Sequence, residues 1–263
     1  AIVKGLASVS DDASKAGHIV IPATVHYENG NTDFPVTKID SWAFNSNTNL
    51  LEINFTDATE LTTIDVKAFN GCKSLTNVQL PANLTTLGSY CFDGCSGLQS
   101  ISFPDGLTVI PEYSFLNCSA LQNVTLGTGI TTIENHAFYG CRAMETFTVN
   151  QALKTIDSYA IEYCTSLTVV DLTPASGFTT LGQGAFYRCV ERKEVRFPAS
   201  VESIEYRTFS ECPNLNKVVL PGATVPFTGE TNLQSTAFLW VPANMVDAYA
   251  ANDYTKNYRT IVI

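Results

Sequence analysis

Apolar residues recur along most of the chain in columns, with a period of 23 residues that lengthens to 25 in two places. The first column opens each unit and consists of Val36, Leu61, Leu84, Leu107, Ile130, Leu153, Phe178 and Val201. A mostly phenylalanine column lies eight residues later and consists of Phe44, Phe69, Phe92, Phe115, Phe138, Ile161, Phe186 and Phe209. Because a fixed period of this length is typical of a repeat protein, we interpret residues 36–223 as one array of eight repeats of 23–25 residues.

One short segment of each unit alternates apolar and polar residues in the pattern L-x-x-V-x-L. This alternation is typical of a β-strand with one buried face. A single unit cannot bury its own apolar residues, so stacked units must share columns of them, with their strands paired in parallel. The A-F-x-G-C segment that follows the strand-turn region is so short that we expect only helical turns or irregular structure there.

The two ends of the array need caps, since an open repeat stack exposes apolar columns and a free sheet edge. We expect residues 1–35 to form the N-terminal cap and residues 224–263 the C-terminal cap, within a single domain of residues 1–263. The pattern of the first cap predicts strands at residues 19–21 and 24–27, with a turn at Asn29–Gly30. In the second cap, Pro242 suits the start of a helix, and residues 260–263 are expected to add a strand.

Composition narrows the classes of function. Only 15% of the 263 residues are charged, and the net charge is −10 with a pI of about 4.7. An acidic chain with so few Lys and Arg residues is a poor binder of nucleic acid or of anionic membranes. The sequence has no apolar run of the ~18 residues that a membrane span needs, so we expect no membrane insertion.

Eight cysteines first suggest a metal site or disulfide bonds. Seven of them share one repeat column, consisting of Cys72, Cys95, Cys118, Cys141, Cys164, Cys189 and Cys212. Zinc sites need close pairs such as C-x-x-C, and the sequence has none, so no metal and no cofactor is expected. Neighbouring strands lie ~4.8 Å apart, which leaves disulfide bonds geometrically open. We favour buried free thiols, because cysteine packs well as a small apolar residue.

The full pattern resembles the short bacterial leucine-rich repeat, called Treponema-type, that is typical of BspA-like surface proteins. Residues 73–95 carry it completely, with Leu75, Val78, Leu80, Pro81, Leu84, Leu87, Phe92 and Cys95. Residues 19–22 and 239–242 look like the flanking segments of that family. The resemblance implies an α/β repeat fold, a right-handed leucine-rich-repeat solenoid with a parallel concave β-sheet. It also implies an extracellular or cell-surface location and binding rather than catalysis. Some members are adhesins that bind host matrix proteins.

The outward residues of the strands are the expected binding platform on the concave face. They are short and mostly uncharged in the first five units, and they become charged in the last three. The candidate binding residues there are Arg188, Arg192, Lys193, Arg196, Lys217, Asp171 and Glu194. The alternative is a solvated face that binds nothing. Arg192 interrupts a leucine column, so we expect its strand to be displaced or its guanidinium to reach outward to water.

An aromatic stripe lies two residues before the phenylalanine column and consists of Trp42, Tyr90, Tyr113, His136 and Tyr159. Its position predicts partial exposure. Such rings could stack on sugars or anchor a protein partner. The alternative, which we favour, is that the ring faces pack over the neighbouring coil and only the polar tips reach water.

No catalytic signature is present. The three histidines are scattered, and the sequence lacks HExxH, GxSxG, P-loop and GxGxxG motifs. We therefore expect no enzyme but a secreted or cell-surface, adhesin-like protein that binds a protein or glycan partner. A structural spacer in a larger surface protein is the first alternative, and a carbohydrate-binding or hydrolytic enzyme is a remote one. The sequence begins at Ala1 rather than Met, which suggests a mature or trimmed chain.

Overall fold

The computed structural model describes residues 2–3, 17–27 and 32–263, and the turn expected at Asn29–Gly30 lies outside these residues. Almost all of the regular structure consists of short strands. In chain order they are β1 Ile2–Val3, β2 His18–Val20, β3 Thr24–Tyr27, β4 Thr32–Pro35, β5 Lys38–Ile39, β6 Glu52–Asn54, β7 Thr63–Ile64, β8 Asn77–Gln79, β9 Thr86–Leu87, β10 Ser100–Ser102, β11 Val109–Ile110, β12 Asn123–Thr125, β13 Thr132–Ile133, β14 Thr146–Thr148, β15 Thr155–Ile156, β16 Val169–Asp171, β17 Thr180–Leu181, β18 Glu194–Arg196, β19 Ser203–Ile204, β20 Lys217–Val219, β21 Phe238–Val241 and β22 Arg259–Val262.

Strands of three or four residues pair into one parallel sheet of 11 strands, which we call the long sheet. Its order is β2-β6-β8-β10-β12-β14-β16-β18-β20-β21-β22. Each residue pairs with its equivalent in the next coil, as Ile101 pairs with Val124. The predicted parallel solenoid is therefore confirmed, with the register that the sequence period requires.

A second set of strands, each of two residues, lies between the first apolar column and the phenylalanine column. These strands form a four-stranded sheet, β1-β5-β7-β9, and a five-stranded sheet, β11-β13-β15-β17-β19. The repeat pattern of the sequence did not predict these strands. Ile64 and its equivalents are buried in every coil. Their burial keeps the two-residue segment extended, so that it pairs with the same segment of the next coil, as Ile64 pairs with Leu87.

The A-F-x-G-C segment forms irregular turns, and we call this part of the surface the turn side. Two positions in each coil have left-handed backbone. The first has φ of 54–64° and is occupied by Trp42, Lys67, Tyr90, Tyr113, His136, Tyr159, Gly184 and Arg207. The second, before the cysteine column, is occupied by Ser46, Gly71, Gly94, Asn117, Gly140, Tyr163, Arg188 and Glu211. Left-handed residues at these intervals prevent a helix, so the chain bends twice instead.

The core consists of the predicted columns. Rings of the phenylalanine column stack nearly parallel, and the centroid distances from Phe44 to Phe138 are 5.1–5.3 Å. All eight cysteines are buried free thiols. Each thiol of the cysteine column donates a hydrogen bond to a main-chain carbonyl of the preceding coil, as Cys118 Sγ does to Phe92 at 3.1 Å. Cysteine therefore fills a small space and adds a hydrogen bond to a carbonyl such as that of Phe92, which also accepts the N–H of Cys95.

Both end regions extend or flank the long sheet. Strands β3 and β4, which follow β2 in the sequence, form an antiparallel pair. After β21, Pro242 precedes a 3-10 turn at Ala243–Met245 and the helix α1 at Val246–Ala251. Met245 of the 3-10 turn and Tyr249 of α1 are buried. The helices found in the described residues are too short and too polar to cross a membrane.

Candidate functional site

The outward face of the long sheet is a regular polar surface. In strand after strand the central residue is buried and its two neighbours point outward, as Asn77 and Gln79 flank Val78. From β8 to β14 the outward residues are Asn, Gln, Ser and Thr. This confirms that the strand positions predicted as a platform face away from the core.

The charged end of this face is built around Glu194. Its Oε1 atom lies 2.7 Å from Nε of Arg196 and 2.9 Å from Nζ of Lys217, and both basic groups donate to it. These hydrogen bonds lower the pKa of the Glu194 carboxyl, and the bond from Arg196 has the largest effect. Partial burial of the carboxyl acts in the opposite direction. Asp171 pairs with Arg196 in the register of β16 and β18, so it lies beside the same cluster. Four of the predicted residues thus come together on one surface.

Two aromatic residues that the sequence analysis missed continue the outward columns. Phe238 pairs with Lys217, and Trp240 pairs with Val219, because β21 joins β20 as the next strand of the long sheet. The Nζ atom of Lys217 lies 4.7 Å from the centroid of the Trp240 ring. The alternating segment F-L-W-V was the available signal, but it follows the preceding strand after only 21 residues and lacks the repeat consensus.

Arg192 contradicts its prediction. The side chain does not reach outward but is 0% exposed, and its guanidinium carbon lies 3.7 Å from the centroid of the Phe186 ring. Its Nε, Nη1 and Nη2 atoms make no hydrogen bond to the described residues. The backbone keeps the repeat geometry, since the N–H of Arg192 donates to the carbonyl of Cys189. Arg192 therefore occupies the position of the leucine column, and its guanidinium lies in the core. Arg192 is therefore no binding residue.

The remaining basic candidates lie in different places. Lys193 is exposed just before β18, and its carbonyl accepts the N–H of Lys217. Arg188 lies on the turn side, where its guanidinium carbon is 5.3 Å from the ring centroid of Tyr163 and 5.2 Å from that of Tyr187. The basic cluster of the sequence is thus divided between the sheet face, the core and the turn side.

Four rings of the aromatic stripe, from Tyr90 to Tyr159, are partly buried and stack on one another, whereas Trp42 is 51% exposed. Centroids lie 4.6 Å apart between Tyr90 and Tyr113, 4.8 Å between Tyr113 and His136, and 5.2 Å between His136 and Tyr159. Burial lowers the pKa of His136, although Glu112 opposes the effect. Because these rings cover one another's faces, they offer edges and polar tips rather than an open platform for a sugar.

Both ends of the stripe have a specific structure. Towards the N-terminus, Lys67 takes the place of a ring, with Nζ 4.5 Å from the Trp42 ring and 4.9 Å from that of Tyr90. Towards the C-terminus, a Cβ atom on Gly184 would lie 2.4 Å from a ring carbon of Tyr159. Only glycine leaves room there for the tyrosine ring, and Gln183 donates a 2.6 Å hydrogen bond to its hydroxyl.

The depressions on the described surface are small for a site that binds a small molecule. A depression of about 210 Å³ lies between Asn54 and Asn83, and another of about 230 Å³ lies over β12 and β14. Typical ligand pockets measure ~300–1,000 Å³. Within residues 17–27 and 32–263, His, Cys, Asp and Glu side chains form no group of three that could hold a metal ion.

Comparison with known proteins identifies a family and several similar structures. The model of the BspA type leucine rich repeat region matches in six copies, over residues 37–168 and 166–238. A leucine-rich repeat protein from Eubacterium ventriosum is similar in structure, with 26% identity and a TM-score of 0.57, over 67% of this chain and 43% of that one. This chain therefore spans less than half of that protein. The pneumococcal vaccine antigen PcpA shares the fold, with 16% identity and a TM-score of 0.56, over 96% of this chain and 90% of that one. A comparison with curated proteins gave no match.

Proposed function

Since the chain belongs to the BspA-type leucine-rich repeat family, we propose that it is a cell-surface or secreted protein that binds a partner protein. The contact surface is the outward face of the long sheet, centred on its charged end. In this proposal the chain performs no catalysis of its own. Host extracellular matrix proteins are the partner class that the family resemblance suggests, and a glycan is the alternative ligand.

One observation carries the choice of surface. At β18, β20 and β21 the outward columns change from short polar residues to a cluster that contains Glu194, Arg196, Lys217 and Trp240. Arginine and tryptophan are enriched where protein interfaces concentrate their binding energy. The charges are already fixed by one another, so little side-chain freedom is lost when a partner binds. From β8 to β14 the outward residues are uncharged, and towards the N-terminus His18 and Glu52 form a smaller polar pair at 2.9 Å without an arginine or a tryptophan.

The size of the surface also favours a macromolecule. Adjacent strands of a sheet lie ~4.8 Å apart, so five strands from β16 to β22 present a face ~20 Å wide. A stable protein interface needs ~800 Å² from each partner. Strands of three or four residues are ~10 Å long, so the charged end covers ~200 Å². The rest of the contact area would come from the neighbouring polar strands.

The test is a solid-phase binding assay with a panel of purified extracellular matrix proteins and a glycan array. The variant Lys217→Ala with Trp240→Ala removes the aromatic and basic centre of the cluster. The control variant Asn77→Ala with Gln79→Ala removes two outward side chains from the same face at its uncharged end. We expect the first variant to weaken binding to a matrix protein at least ~10-fold and the control to bind like the wild type.

Other outcomes would reject the proposal. Equal weakening by both variants would mean that binding does not centre on the charged end. A glycan ligand with no protein ligand would replace the partner class. Absence of any ligand for the wild-type protein would favour the alternative of a structural spacer within a larger surface protein.

A further inference from the structure

A second distinctive surface lies on the turn side, away from the long sheet. We call it the Tyr–Arg surface, and it consists of Tyr139, Arg142, Tyr163, Tyr187 and Arg188. The guanidinium carbons of Arg142 and Arg188 lie 5.4 Å and 5.3 Å from the ring centroid of Tyr163. Tyr139 and Tyr163 are 6.0 Å apart between ring centroids. The proposed function uses none of these residues.

The arginines of this surface have no carboxylate partner. Ion pairs among the described residues involve Lys38, Lys217, Lys256, Arg196 and two histidines, but neither Arg142 nor Arg188. Glu162 and Glu211 act on Arg188 through space without pairing with it. Arg188 instead donates from Nη1 to the hydroxyl of Tyr163 at 3.4 Å, a weak contact that leaves most of its N–H groups available.

Unpaired arginines stand out on a chain of this composition. The first 140 residues carry 13 acidic and five basic residues, whereas residues 141–263 carry 12 acidic and ten basic ones. All six arginines lie in the second part. A local cationic surface on a molecule with a net charge of −10 attracts acidic groups and excludes cationic ones.

The stacking geometry indicates which kind of acidic ligand fits. Both guanidinium groups lie near the Tyr163 ring. Arg188 uses one N–H group on the Tyr163 hydroxyl, and the remaining N–H groups can form the two parallel hydrogen bonds that a carboxylate accepts. A sugar needs an open ring face to stack on, and guanidinium groups already cover this ring. Arg142 and Arg188 belong to coils two apart, ~10 Å along the stack, which ~3 residues of an extended peptide span.

We propose that the Tyr–Arg surface is a second binding site, which takes an acidic, Asp- or Glu-rich segment of a partner protein. The tyrosine rings hold the guanidinium groups in place, and their hydroxyls add hydrogen bonds at the edge of the site. Half-buried Glu162 opposes the ligand when ionised, so the peptide must lie over the arginines rather than over this carboxyl.

The test uses a fluorescein-labelled oligoglutamate peptide and fluorescence anisotropy with the full chain at low salt. In the variant Arg142→Gln with Arg188→Gln, the site loses both guanidinium groups. The matched control, Arg196→Gln with Lys217→Gln, removes two positive charges from the long sheet instead. We expect the first variant to weaken binding at least ~10-fold and the control less than ~2-fold. Tyr163→Leu keeps both charges and should weaken binding by an intermediate factor, because it removes their support.

Thermal melts of all variants check that each one folds, and a sulfated oligosaccharide serves as the competing ligand. Absence of peptide binding to the wild type would overturn the proposal. So would equal loss in the control, which would show a general charge effect, or binding of the sulfated oligosaccharide at this surface without binding of the peptide. The control variant also separates this site from the proposed function, because it alters the long sheet alone.

Discussion

The two halves of the repeat array follow the same period but differ in regularity. Up to about residue 150 the phenylalanine rings stack without interruption, with centroid distances of 5.1–5.3 Å, and the aromatic stripe is continuous from Tyr90 to His136. Beyond residue 150, Ile161 replaces a phenylalanine, Gly184 replaces an aromatic residue and Arg192 replaces a leucine. Arg188 and the charged cluster lie in this second half, whereas Arg142 lies in the last coil before it.

This difference separates residues that build the fold from residues available for binding. In the regular half, most rings and thiols are matched by the same group one coil away, and Lys67 is the exception in the aromatic stripe. Packing between equivalent residues therefore accounts for most of these columns. In the irregular half, several side chains have no equivalent in the next coil. Their contacts, such as that of Arg192 with the Phe186 ring, do not recur along the array. The breaks in the columns, rather than the columns, are where we locate the two binding surfaces.

The largest effect is expected from a cavity in the regular half. Phe115 is completely buried and stacks against both Phe92 and Phe138. We expect Phe115→Ala to lower the free energy of unfolding by about 3–5 kcal/mol, because it removes a large side chain from a column that cannot collapse. Equilibrium urea denaturation followed by circular dichroism measures it.

The matched variant for this prediction is Phe209→Ala in the irregular half. The Phe209 ring is also buried, but its stacking partner Phe186 lies 6.4 Å away. The loss of stability should therefore be smaller than for Phe115→Ala. An equal or larger loss would show that the two halves pack equally well and would remove the basis of the comparison.

A gain in stability is expected at Arg192. The guanidinium is buried without a hydrogen-bond partner among the described residues, and a charge in that position is costly. Arg192→Leu restores the leucine column and should raise the free energy of unfolding by about 1–4 kcal/mol. The measurement is the midpoint of urea denaturation compared with that of the wild type.

Arg142→Leu is the control, since it removes the same charge from an exposed position and should change stability by no more than about 0.5 kcal/mol. If Arg192→Leu destabilised the protein, the guanidinium would have to be stabilised in the core. The burial of this residue would then be a feature of the fold and not its weakest point.

The end of the aromatic stripe gives a smaller effect. Gly184 has a φ of 60°, and an added Cβ atom would clash with the Tyr159 ring. Gly184→Ala should cost about 1–2 kcal/mol for the left-handed backbone, with a further loss if the ring cannot move. Gly177→Ala is the control, because a Cβ atom there meets nothing within 4 Å. Similar denaturation midpoints for the two variants would contradict a steric role of Gly184.

The sequence predicts the regular half of the molecule far better than the irregular half. A fixed period places equal residues at equal depth, so strand register, the buried columns and the outward positions of β8 to β18 all follow from the pattern. The same period already places Arg188 in the column of Tyr163, before a cysteine, and so separates it from Arg196. The sequence analysis grouped them because they are close along the chain.

Other features depend on contacts that a pattern does not contain. The burial of Arg192 contradicts the usual behaviour of a charged residue, because the neighbouring coils hold the backbone in the repeat geometry. Left-handed backbone at Trp42, Tyr113 and Tyr159 is unusual for aromatic residues, and only the glycine at position 184 of that column pointed to it. The aromatic residues of β21 were missed because that strand lies beyond the last recognisable repeat.

The smallest effect concerns a carboxyl of the irregular half and depends on pH. Burial raises the pKa of Glu162 to about 7 from the ordinary value of 4.5, although Arg188 lowers it. The unfolded chain ionises this group first, so its contribution to stability is most favourable below pH 4.5 and is lost as the pH rises towards 7. Glu162→Gln should therefore raise the melting temperature at pH 8 more than at pH 4.5.

Glu145→Gln, which removes an exposed carboxyl from the preceding coil, should shift the melting temperature little and equally at both pH values. A shift for Glu162→Gln that did not change with pH would mean that the carboxyl is well solvated, and the turn side of the irregular half would then be as open to water as that of the regular half.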